Sequence, residues 1–130
     1  MPSKKSQCKP TAAELSIMGV IWELGPCTVR QVFKYLSESQ DIGYTTVLKL
    51  MQIMTDKGLL ERDTSVRPQV FKASRPQQQT QRQLLRELLD RAFDGSPGNL
   101  VLQALSIRKC SPQERREIRE LLDQLEQKDA

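Results

Sequence analysis

The feature that most constrains this chain is a run of three capped, helix-period apolar stripes, followed at once by two short strand-like segments, all within residues 11–73. Thr11 and, three residues on, Glu14 form a capping box, in which each side chain satisfies a backbone N–H that the helix leaves free. Behind it Leu15, Met18 and Trp22 run beside Ile17, Ile21 and Leu24. Two adjoining stripes predict a helix buried around most of its circumference. Gly25-Pro26 stops it. Thr28, with Gln31 at the box position, opens a second helix whose Val29, Val32, Phe33 and Leu36 fall at i, i+3, i+4 and i+7. Ser37 to Gly43 reads as a short loop. A third helix runs from about Tyr44 to Lys57, with Val47, Leu50, Met51 and Met54 at the same spacing and Gly58 where a left-handed cap belongs. Leu59–Asp63 and Gln69–Ala73 then flank the turn-like Thr64-Ser65-Val66-Arg67-Pro68, which predicts a hairpin with Arg67 at its tip.

Three helices and a hairpin in that order predict a mainly α fold, a winged helix-turn-helix. In such a unit the third helix enters a DNA major groove, about 12 Å wide. On the face opposite its apolar stripe that helix carries Thr45, Thr46, Lys49 and Gln52. Hydroxyls reach bases or phosphates, an ammonium reaches a guanine edge or a phosphate, and a carboxamide suits adenine. Tyr44 offers a hydroxyl to a phosphate, and Arg67 extends the wing towards the backbone or minor groove. Each has a plainer alternative: Thr45 or Thr46 as a cap, Lys49 and Gln52 as solvated side chains, Tyr44 as a ring packed on the second helix.

Composition changes at Pro76, which divides the chain into a DNA-binding domain at 1–75 and a helical domain at 76–130. Gln77 to Phe93 reads as a helix with Leu84, Leu85, Leu88, Leu89 and Ala92 on one stripe, broken by Asp94 to Gly98. Asn99 to Ile107 follows, with Leu100, Val101, Ala104 and Leu105 inward. Ser111-Pro112-Gln113-Glu114 starts a last helix with Ile118, Leu121, Leu122 and Leu125 in line, and Gln127 to Ala130 are expected to fray. These leucine stripes exceed what so small a unit can enclose. Burial against an identical copy is the economical solution, so these residues are the expected dimerisation surface. A monomer with the stripes folded back on the first domain is the alternative.

Charge supports the division. Residues 1–75 hold 11 Lys/Arg against 7 Asp/Glu, and residues 76–130 hold 9 of each. A basic region joined to a neutral one suits a polyanion-binding module. Histidine is absent, which removes the commonest general base and metal ligand together. No nucleophile elbow, phosphate-binding glycine loop or C-x-x-C pair is present. No enzymatic activity, cofactor or metal is therefore expected. Cys8, Cys27 and Cys110 read as reduced structural thiols. Met1 to Lys9 is polar and basic with no apolar stretch behind it, so no signal peptide is expected and the cytoplasm is the expected location.

Three stretches together resemble the BlaI/MecI penicillinase-repressor family: Thr11 to Leu15 through Trp22, Thr28-Val29-Arg30-Gln31-Val32, and Gly43-Tyr44-Thr45-Thr46-Val47 through Lys57-Gly58-Leu59-Leu60. The similarity extends over about residues 10–125. It implies a homodimeric transcriptional repressor on a palindromic operator of double-stranded DNA. In members that govern resistance to β-lactam antibiotics, a membrane sensor-protease signal leads to cleavage in the C-terminal domain, at a place matching Asn99 and Leu100 here. Family wings commonly read Gly-Arg-Pro where this chain has Val66-Arg67-Pro68, and a wing needing positive φ at residue 66 is strained by a β-branched side chain. Copper-responsive relatives carry a cysteine-rich tail, whereas Cys110 stands alone. Two other readings of the same residues remain: a winged-helix module that docks a protein, and a regulator responding to oxidation of Cys110.

Overall fold

A computed structural model describes residues 9–129; Cys8 and all of the expected polar leader except Lys9 lie outside them. The elements run α1 (Ala12–Leu24), α2 (Val29–Ser37), α3 (Tyr44–Asp56), β1 (Leu60–Asp63), β2 (Val70–Ala73), α4 (Gln77–Ala92), α5 (Pro97–Ile107) and α6 (Pro112–Asp129). This is the mainly helical winged helix-turn-helix followed by helices that the pattern predicts.

The predicted caps form. Thr11 and Glu14 close a reciprocal box on α1, and Thr28 and Gln31 close another on α2. Gly25 (φ 86°) and Gly58 (φ 82°) turn the chain in left-handed conformations that a Cβ would strain. β1 and β2 pair antiparallel, Leu60 opposite Ala73 and Asp63 opposite Val70. Cys27 adds a bridge to the same sheet: its N–H donates to the Phe71 carbonyl (3.0 Å), and the Phe71 N–H donates to the Cys27 carbonyl (2.8 Å). The hairpin root is thereby tied to the α1–α2 connection.

The core is Ile17, Met18, Val20 and Ile21 of α1, Val32 and Leu36 of α2, Val47, Met51 and Met54 of α3, with Leu60 and Phe71 from the sheet. Several expectations need correction. Leu24, placed on a buried stripe, is 52% exposed because α1 ends there and Gly25 leads the chain away. Leu50 is only half-buried. α5 begins at Pro97, two residues earlier than expected, because Ser96 caps it and proline's fixed φ suits a first helical position. Gln127 to Asp129, expected to fray, belong to α6, while Ala130 lies outside the described residues.

The described chain divides into two compact units, with the division between Leu84 and Leu85, inside α4. In the first unit the start of α4 is anchored: Thr80 is buried, and the Trp22 indole N–H donates to the Arg75 carbonyl at 3.0 Å just ahead of it. The second unit has no buried residue among those described. Leu84, the last residue of the first unit, and Leu89, Leu100 and Ile118 of the second are half-buried, whereas Leu85, Leu88, Val101, Leu105, Leu121, Leu122 and Leu125 are exposed. Leu102 and Ile107 reach 69% and 77% exposure. The expected inward packing of α5 is therefore absent within one chain.

Candidate nucleic-acid interface

α3 is held from three sides. Its apolar face seals the core, and Gly43 serves as its N-cap without any side-chain hydrogen bond. Thr45 and Thr46 therefore do not cap the helix; both are exposed in its first turn, and Lys49 and Gln52 continue the exposed face. The Tyr44 ring meets Phe33 edge-on, with centroids 5.8 Å apart. The Arg30 guanidinium lies over the same ring at 5.4 Å. An aromatic ring between an edge partner and a cation is held in one orientation. The packing alternative for Tyr44 is thus realised by the ring, and the residue is still exposed at the helix start.

At its far end α3 is braced by a long-range ion pair. The Lys57 ammonium donates to both Glu14 carboxylate oxygens, at 2.9 and 3.0 Å. Glu14 is 2% exposed, and its Oε1 also accepts from the Thr11 N–H at 2.9 Å. Burial alone pushes this carboxyl upward. The Thr11 amide bond, the Lys57 hydrogen bond and charge, and the Thr11 hydroxyl together outweigh burial and hold it below the usual glutamate value. Lys57 is committed to this pair, so its charge belongs to the scaffold.

Beside α3 lies an open groove of about 660 Å³ between the α2 start, α3 and the wing. Tyr44, Gln52 and Arg67, three of the residues expected at a DNA interface, line it. So do Thr28, Gln31, Gln69 and three cations that pattern reading missed: Arg30, Lys34 and Arg62. No carboxylate lines it. Their signal was faint: Arg30 and Lys34 lie four residues apart on the polar side of α2, and Arg62 falls two residues after Leu60, on the same face of β1 but in its exposed part. The wing turn starts with Asp63, whose carboxylate accepts from the Ser65 N–H and hydroxyl. Those bonds hold the Asp63 carboxyl below its ordinary value. Val66 does not adopt a positive φ. The wing closes without the conformation that a glycine there would supply, so the anticipated strain does not arise.

The cysteines differ sharply. Cys27 is 2% exposed, its thiol donates to the Gly25 carbonyl, and burial pushes its pKa up. Cys110 is half-buried. A thiolate is the reactive form, so a maleimide reagent is expected to modify Cys110 in the native protein and to spare Cys27 until denaturant is added. Mass spectrometry of the digested protein checks this, and native labelling of Cys27 would contradict the described burial. Among the described residues no cluster of His, Cys, Asp and Glu is arranged to hold a metal, and no helix is long and apolar enough to cross a membrane.

A solvent-facing helix with hydroxyl, ammonium and carboxamide tips, set beside a cation-lined groove and a wing, defines a winged helix-turn-helix regulator of transcription. The chain belongs to the penicillinase repressor family, whose model matches residues 10–124. That family consists of DNA-binding transcriptional repressors. Comparison with curated proteins yields no match.

Proposed function

We propose that the protein is a sequence-specific repressor that binds a palindromic operator in double-stranded DNA as a homodimer in the cytoplasm. The observation that carries this reading is the exposed Thr45, Thr46, Lys49 and Gln52 face bordering a groove with four cations and no carboxylate. α3 enters the major groove, where Lys49 and Gln52 read base edges. Tyr44, Arg30, Lys34 and Arg62 hold phosphates, and Arg67 reaches the neighbouring backbone from the wing. Dimerisation is supported by the second unit, which buries none of its leucines in a single chain. A three-helix unit of this size has too little interior to stand alone. Membership of the family supports the finer proposal that a membrane sensor-protease pathway leads to cleavage at Asn99–Leu100 and releases the operator.

A mobility-shift assay with the DNA upstream of the protein's own gene tests the reading. A complex is expected at low salt that weakens steeply as salt rises, because phosphate contacts release counterions. No shift at low salt would leave a protein-docking module as the better account. Lys49→Ala is expected to weaken operator binding by about 1–3 kcal/mol while leaving random DNA nearly unaffected. Equal losses on both DNAs would reassign Lys49 to a phosphate. Arg30→Ala and Lys34→Ala are expected instead to weaken both DNAs alike, each lowering the salt slope by about one.

A further inference from the structure

Tyr44 and Arg30 meet where α2 packs beside the start of α3. The Arg30 guanidinium, in the first turn of α2, lies over the Tyr44 ring, and Phe33, about one turn further along α2, meets that ring edge-on. The ring is therefore the part of Tyr44 that is engaged. Among the described residues the Tyr44 hydroxyl takes part in no hydrogen bond, whereas the hydroxyl of Tyr35, on α2, donates to Glu23 at 2.6 Å. The Arg30 guanidinium takes part in no ion pair or hydrogen bond among the described residues either. Its N–H donors stay open beside a groove that no carboxylate lines.

We infer that Tyr44 is a positioning residue: its ring, and not its hydroxyl, holds Arg30 ready to clamp one DNA phosphate. This rests on the DNA reading proposed above and makes the phosphate contact given there to Tyr44 and Arg30 a single one. A free arginine side chain samples many rotamers and loses that freedom on binding. Stacking on a ring already fixed by Phe33 takes part of that loss in advance. The guanidinium is planar, so it lies on the ring and still presents N–H groups at its own edge to a phosphate. A carboxylate partner would also fix Arg30, but it would cancel the charge that a phosphate attracts. A ring face fixes the cation and leaves its charge whole. Fastening α2 to α3 does not require the arginine, because Val32 and Leu36 of α2 share a buried core with Val47 and Met51 of α3.

The test measures binding of the full chain to two fluorescent duplexes, one from upstream of its own gene and one of random sequence, over a salt series. Tyr44→Phe keeps the ring and is expected to bind both within about twofold of wild type. Arg30→Ala is expected to weaken both at least about tenfold at low salt. Tyr44→Leu leaves the arginine unsupported and is expected to weaken both by about fivefold. Added to Arg30→Ala, Tyr44→Leu is expected to cost less than about twofold more, because the arginine it served is gone. Tyr44→Phe as weak as Tyr44→Leu would return the contact to the hydroxyl. Losses that multiply in the double variant would mean that the ring acts on DNA or on folding without Arg30. Either result overturns the positioning role and leaves the DNA reading standing. A wild type that binds neither duplex at low salt would instead overturn the DNA reading.

Discussion

Replacing Lys57 by methionine is expected to cost about 3 kcal/mol of stability in the first unit, because it strands a buried carboxylate. Glu14 is almost wholly inside, keeps only Thr11, through its amide and hydroxyl, to stabilise its charge, and has no second cation in its hydrogen bonds. The reciprocal change is expected to be milder. Glu14→Gln keeps shape and an acceptor for the Thr11 N–H, and it leaves an ammonium whose side chain is 30% exposed and reaches water. A loss near 1 kcal/mol follows, the ordinary net worth of a hydrogen bond. Urea unfolding of both variants measures the asymmetry; equal losses would contradict it. The pair also sets a pH dependence. The folded pKa of Glu14 lies below its unfolded value. Its contribution is therefore complete above the unfolded value and disappears as pH falls through the lower, folded one. Acid should thus unfold wild type more steeply than Glu14→Gln. The functional consequence concerns placement, since Lys57 stands at the C-terminal end of α3 and Glu14 in the first turn of α1.

The second large effect is expected from a single cut between Asn99 and Leu100. Operator affinity should fall by at least about 10²-fold, since two half-site readers joined as one body bind with the advantage of an intramolecular second step. The first unit should still unfold at its usual temperature, because its described buried residues all precede the cut, the last of them being Thr80. A cut protein that holds the operator as tightly as the intact one would remove proteolysis as the release step. The local structure adds a rate prediction. Asn99 lies in the first turn of α5, where its N–H donates to Ser96 Oγ at 3.1 Å and its Oδ1 accepts from Gln103 at 2.9 Å. Removal of an N-cap hydroxyl costs about 1 kcal/mol of local helix. Ser96→Ala should therefore be cut several-fold faster, as timed by gel electrophoresis.

Local chemistry was legible in the sequence. The Thr11–Glu14 and Thr28–Gln31 boxes, the left-handed Gly58 and the hairpin all follow from short-range rules, and each stands where spacing puts it. What sequence reading missed depends on distance along the chain. Glu14 looks complete as a capping residue, and nothing near it announces a partner 43 positions away. Cys27 looks like connection, yet its backbone extends the sheet to Phe71. Arg30, Lys34 and Arg62 come from two elements that only the fold brings to one groove. Leu24 obeyed the stripe and still ended outside, because periodicity cannot say where the neighbouring layer stops.

The chain has one tryptophan, and it sits at the hydrogen bond joining α1 to the exit of the wing. Tryptophan fluorescence consequently reports on the packing of the first unit. Circular dichroism sums every helix. Melting curves from the two methods, superimposed over a dilution series, would therefore separate loss of the reader from loss of the leucine-rich helices without any added label.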